Sequence, residues 1–217
     1  MPIAIDIEFN EDQIAEVTRL LEGIPHGVGL AVSRAINKVA VSARTRLVRA
    51  VTAEVRLTQT EIKGRNIHLR TASFRSPWAR LWIHGRRIPI LQFNARQTRK
   101  GVTYALRRHG GRTLIPHAFL ATMPTGHRGV FARTEPKFGY QPGGLMLVGG
   151  RRASGVRKHG LPIVEQYGPS VPAVVEKLPE FAAGVFHDAI ADKLQAEIDS
   201  QVGLLIERHR PAAAAGG

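Results

Sequence analysis

The 217-residue chain contains no cysteine. Disulfide frameworks, thiolate metal sites and cysteine nucleophiles are therefore excluded, and the fold must rest on packing alone. It also lacks a long apolar run. A membrane-spanning helix needs roughly 18 consecutive apolar residues, and even the apolar stretch around Val171 is broken by Pro172, Glu176 and Lys177. The opening MPIAIDIEF has no basic segment followed by an apolar one, so no signal peptide is expected. Catalytic signatures are missing as well. There is no GxxxxGK[ST] phosphate loop, no GxGxxG after a strand, no HExxH and no GxSxG elbow. The nine histidines are scattered without i,i+4 pairs, which points to structural or solvated roles rather than a metal site. No cofactor, metal or catalytic residue is expected.

The most informative scarcity is of acid. Residues 62–134 hold neither Asp nor Glu but carry 15 Lys and Arg. Across 62–164, 20 cations stand against the single acid Glu135, so in a chain of net charge +14 the rest is acidic on balance. A metal-dependent nuclease needs carboxylates to hold its cation, and this stretch supplies none; only distant acids such as Asp6, Glu8 or Glu165 could converge in the fold. Arginine dominates, and its planar fork suits phosphate or carboxylate recognition. Two readings follow: a surface facing DNA that neutralises phosphates without reading bases, or an interface with acidic protein neighbours. The candidate contact residues are Arg86, Arg87, Arg96, Arg99, Lys100, Arg107, Arg108, Arg112 and Arg128, with 96–112 as the densest cluster.

Periodicity supplies the framework. Ile3, Ile5, Ile7 and Phe9 alternate with polar positions, predicting a half-buried opening strand. Asn10 with Gln13 has capping-box spacing, and Ile14, Val17 and Leu21 give a helical stripe that Gly23 and Pro25 stop. A longer helix is expected over 28–51, where Val32, Ile36, Val39, Ala43, Leu47 and Val51 recur at spacings of three and four. Thr58 with Glu61 predicts one short turn ended by Gly64. Antiparallel strands are expected at 67–71, 79–83, 88–93, 102–106 and 129–133. Tyr167, Gly168 and Pro169 suggest a turn before the last helix, whose face is Phe186, Ile190, Leu194, Ile198, Val202 and Leu205. The resulting class is α+β: an antiparallel sheet packed by a long helix in the N-terminal half and a C-terminal helix. A single domain is expected over 1–210, with 134–160 as a long Gly-rich irregular loop or hairpin extension and 211–217 as a flexible tail.

Three blocks resemble the phage minor tail protein Z family, also described as tail-completion proteins. They are AVSRAINKVAVSARTRLVRAV at 31–51, RRIPILQFNARQTRKGVTYALRRHGGRTLIPHAFLATMPTGHRGVFAR at 86–133, and LPIVEQYGPSVPAVV at 161–175. Within the second, the pieces FNARQTRKGV, LIPHAFLATM and GHRGVF resemble the family in order and spacing. The resemblance implies a non-enzymatic structural protein of the virion, located at the tail or neck and assembled in the host cytoplasm. Its role would be to finish the head-proximal end of the tail and join it to the head. The implied partners are tail-terminator, neck and tail-tube proteins, further copies of the chain in a homo-oligomer of hexameric ring form, and double-stranded DNA at its end; a membrane is not among them. The rival reading is a stand-alone basic nucleic-acid-binding protein acting in packaging.

Overall fold

The computed structural model describes residues 2–133 and 163–209. Strand β1, Ile3–Glu8, buries Ile5 and Ile7 and leaves Ala4, Asp6 and Glu8 outside, as its alternation requires. Helix α1, Glu11–Leu20, starts in the expected capping box. The Gln13 N–H donates to Asn10 Oδ1 at 2.8 Å, and the Asn10 N–H donates back to Gln13 Oε1 at 3.2 Å.

Helix α2, Gly27–Glu54, is the scaffold, and its 28 residues span about 42 Å. The whole predicted stripe is buried, together with Ala31, Ala35, Ala40 and Val48. Burial exceeds one stripe because two layers pack on α2: a sheet on one side and the C-terminal helix α6, Val185–His209, on another. The alanines on its buried faces add little bulk, which suits a helix enclosed from two sides. Along α6, Phe186, Leu194, Ile198, Val202 and Leu205 are buried and Ile190 is partly so. Helix α3, Gln59–Arg65, is capped by Thr58 and Glu61; it runs one residue past Gly64 and closes at Asn66.

Antiparallel pairing holds throughout, so the α+β class stands. Where periodicity suggests one central sheet, the described strands divide into three three-stranded sheets and one of two strands. The first has order β1–β3–β2, with β2 at Ile67–Arg70 and β3 at Trp78–Ile83; Ala79, Leu81 and Ile83 face α2 and are fully buried.

The expected strand at 88–93 is shorter than predicted. Strand β4, Arg87–Pro89, gives way to a 3-10 turn at Ile90–Gln92, closed by the Phe93 N–H on the Ile90 carbonyl at 3.0 Å. The reason is burial. Residues three apart face opposite sides of a strand but the same side of a 3-10 turn, and both Ile90 and Phe93 are fully buried.

The second sheet joins β5 (Arg96–Thr98), β6 (Gly101–Tyr104) and β7 (Thr113–Pro116) in that order. The third has β8 (Phe119–Thr122), β9 (Arg128–Arg133) and β10 (Ile163–Glu165), with β9 central.

The Tyr167–Ser170 segment is not a turn but strand β11, paired with β4 in the two-stranded sheet, where Pro169 is tolerated because the strand is an edge. Gly168 is needed there, since a Cβ would lie 2.5 Å from the buried Phe93 ring. Two short helices, α4 (Val171–Val175) and α5 (Pro179–Ala182), lead into α6. The predicted loop at 134–160 and tail at 211–217 lie outside the described residues.

Candidate functional site

The densest part of the basic stretch folds into a hairpin. Register pairs Thr98 with Gly101, so Arg99 and Lys100 form a two-residue turn that holds both exposed cations at the tip. Two features fix it. Gly101 has φ +146°, and a Cβ on it would stand 2.1 Å from the Ile115 carbonyl oxygen on β7. The His117 N–H donates to the Lys100 carbonyl at 3.1 Å. Gln97 ties this sheet to the third one: its Oε1 accepts the Leu120 N–H at 2.8 Å, while its Nε2 reaches the Gly101 and Ala118 carbonyls. Between the hairpin tip and the end of β7 lies an open hollow of about 620 Å³, lined by Gln97, Arg99, Lys100, Leu114, Pro116 and His117 among others.

Behind the hairpin, 105–112 docks on the C-terminal end of α2. The Arg56 N–H donates to the Leu106 carbonyl and the Arg108 N–H to the Glu54 carbonyl, both at 3.0 Å. Arg108 Nε also donates to the Thr52 carbonyl at 2.9 Å, which places a cation against the negative end of the helix dipole. Arg112 donates to the Asn94 and Thr103 carbonyls at 2.7 and 2.8 Å and to Thr103 Oγ1 at 3.1 Å. Its guanidinium pKa is lowered, first by desolvation and then by the positive neighbours Arg96 and Arg56. Three like charges therefore gather here. Among the described residues no carboxylate pairs with Arg96, Arg99, Lys100, Arg107, Arg108 or Arg112; the ion pairs there involve Lys38, Arg46, Arg80 and His127.

The nine sequence candidates thus separate. Arg96, Arg99 and Lys100 form the exposed hairpin edge and tip. Arg107, in an isolated bridge with Val55, lies in the docked segment and is exposed. Arg108 and Arg112 are committed to backbone carbonyls. Arg86 and Arg87 sit at the start of the two-stranded sheet, and Arg128 opens β9 opposite Thr122 in the third sheet. Arg56 joins the cluster although it precedes the acid-free stretch; nothing in its local sequence marks it, because its proximity arises from the docking of 105–112.

One separate constellation escaped the sequence. His127 Nε2 lies 2.9 Å from Glu165 Oε1, and the Tyr167 hydroxyl donates to Glu165 Oε2 at 2.6 Å. His127 thus has a carboxylate partner, which the scattered spacing of the histidines does not signal. The acids considered for a metal do not converge: Asp6 pairs with Arg80 and Glu165 with His127, and among the described residues no three His, Asp or Glu form a metal-holding group. Nor is any described helix long and apolar enough to cross a membrane.

Two predictions arise here. Burial, and then the hydrogen bond and charge of Glu165, push the Tyr167 hydroxyl from its ordinary 10 up to about 12. The folded state therefore keeps a proton that the unfolded chain releases near pH 10, and stability should fall as pH rises from about 10 to about 12. Urea unfolding at pH 9 and 11.5 should show this fall in the parent chain and a smaller one in Tyr167→Phe. The second concerns the helix end. Arg108→Gln removes a charge-assisted hydrogen bond at the α2 terminus and should cost about 1 kcal/mol. A thermal melt should register roughly 2–4 °C.

Comparison with known proteins adds one match. The family model described as prophage minor tail protein Z (GPZ) matches residues 14–208. No curated protein matches the chain, and no solved structure does.

Proposed function

The chain belongs to the prophage minor tail protein Z family, which makes it a structural protein of the phage tail, and we propose that it completes the tail at its head-proximal end and helps join tail to head. In this reading it is a component rather than a catalyst, built into a homo-oligomeric, hexameric ring by heterologous contacts that repeat around the tail axis. Tail-terminator, neck and tail-tube proteins are its neighbours.

The observation that carries the finer reading is the hairpin cluster. Arg96, Arg99 and Lys100 are exposed and lack carboxylate partners among the described residues, and Arg112, whose charge is disfavoured first by desolvation and then by Arg96 and Arg56, stands beside them. Bringing like charges together is unfavourable unless a polyanion neutralises them. Double-stranded DNA held at the tail's upper end supplies such a polyanion, and backbone neutralisation needs no base-reading element.

A phage lacking this chain should accumulate heads filled with DNA beside tails that fail to join productively. Supplying the chain in trans should restore joined particles. Normal particles without it would refute the completion role.

A further inference from the structure

The solvent face of the β1–β3–β2 sheet differs in chemistry from the basic hairpin. Alternation turns Ala79, Leu81 and Ile83 inward, so Trp78, Arg80 and Trp82 project outward from β3. Both tryptophans of the chain stand on this one face, and Trp82 is 42% exposed. Register places Arg80 between Asp6 on β1 and Arg70 on β2, and Trp82 between Ala4 and His68.

The side chains interleave into a ladder. The Arg70 guanidinium lies 4.2 Å from the Trp78 ring centre, and that of Arg80 lies 5.3 Å from Trp78 and 5.8 Å from Trp82. Arg80 is also held by Asp6 through two contacts, one of them Nη2 to Oδ2 at 2.8 Å. These rings and guanidinium groups are ordered before anything docks, so little side-chain entropy remains to be lost on binding. Arg70 is different from Arg80: among the described residues it has neither a carboxylate nor a hydrogen-bond acceptor.

Large exposed tryptophans beside arginine are the residue types that dominate protein–protein binding energy. Nucleic acid fits the face poorly. A run of phosphates laid along it would meet Asp6 and Glu8, where a protein can place a single carboxylate at Arg70, and guanidinium groups already cover the Trp78 ring that bases would stack on. A second copy meeting this face with the same face would set Arg70 and Arg80 against like charges. Arg70, which lacks a carboxylate among the described residues, favours a partner that supplies one.

We propose that the outer face of the β1–β3–β2 sheet docks a different protein subunit, which seats Trp82 in an apolar recess and presents a carboxylate to Arg70. The inference rests on the tail reading for where that subunit is found.

The test replaces Trp82 with the photoreactive p-benzoylphenylalanine in the phage-borne chain, irradiates purified virions and maps the adducts by mass spectrometry. The expected adduct joins a different virion protein at a segment bearing Asp or Glu. Arg70→Glu should reduce its yield about tenfold or more, the scale of a hot-spot contact. Reversing the mapped carboxylate to Lys should restore it. A thermal melt of the purified Arg70→Glu chain guards against misfolding, and Arg70→Gln, which keeps the stem, should give an intermediate yield. Adducts to DNA, to a second copy, or to a protein whose yield ignores Arg70 would overturn the proposal. Absence of the chain from virions sinks the tail reading and this one together, whereas its presence without an adduct sinks the docking surface alone.

Discussion

Gly101→Val should lower the stability of the protein by about 3–5 kcal/mol, combining a strained backbone conformation with a clash against a carbonyl oxygen. At φ +146° a β-branched side chain is strained whatever the space, and here there is none, because the Ile115 oxygen lies 2.1 Å from where Cβ would stand. The residue is also buried between the two hairpins of the second sheet, so relaxation must move β6 against β7. For a chain of this size the melting temperature should fall by roughly 10 °C, read by circular dichroism. Gly203→Ala provides the opposite sign. That glycine lies inside α6 with open space around its Cβ position, so alanine should stabilise by about 1 kcal/mol through helix propensity. Equal and small effects at both positions would show that the Arg99–Lys100 turn is not held as described.

Neutralising the hairpin by Arg96→Gln, Arg99→Gln and Lys100→Gln together should weaken binding to double-stranded DNA by roughly two to three orders of magnitude at about 0.1 M salt. Each phosphate contact releases about 0.9 counterion, so three contacts account for that fall and for a salt-dependence slope smaller by about 3. Fluorescence anisotropy across a salt series reads both quantities. Because these side chains are exposed and have no carboxylate partner among the described residues, their loss should change stability by no more than about 0.5 kcal/mol. Arg108→Gln should show the converse: a lower melting temperature and a slope smaller by at most about 1. Unchanged affinity in the triple variant would place any DNA contact elsewhere on the molecule.

How far the sequence carries depends on element length. Helix α2 is legible because six apolar positions at spacings of three and four leave one arrangement, and the Asn10–Gln13 and Thr58–Glu61 pairs mark two helix starts by a local hydrogen-bond rule. Strand β3 is legible through Ala79, Leu81 and Ile83. Strands β5, β7 and β8 have three or four residues, too few for an alternation to stand out. The apolar run ending at Phe93 is compatible with a strand or a turn until the burial of Ile90 beside Phe93 decides it. In β11, Gly168 and Pro169 signal a turn locally, while Phe93 packed on Gly168 and the pairing with β4 hold the chain extended.

The site shows the same division. The acid-free stretch marks a cation-rich region by composition, which treats its cations alike. Only the fold separates Arg108 and Arg112, bound to carbonyls, from Arg99 and Lys100 at a hairpin tip, and only the fold brings Arg56 beside them. His127 and Glu165 are 38 residues apart, and their pairing follows from the β9–β10 ladder.

The central claim is that this chain is a tail component at the head-proximal end whose basic hairpin faces DNA. Electron cryomicroscopy of purified virions, resolving the tail and neck, tests it most directly. The account predicts density for the fold in a ring at the upper end of the tail, with Arg96, Arg99 and Lys100 turned toward DNA in the lumen. A hairpin buried against acidic protein surface would contradict the DNA contact, and particles in which the chain is absent would contradict the structural role itself.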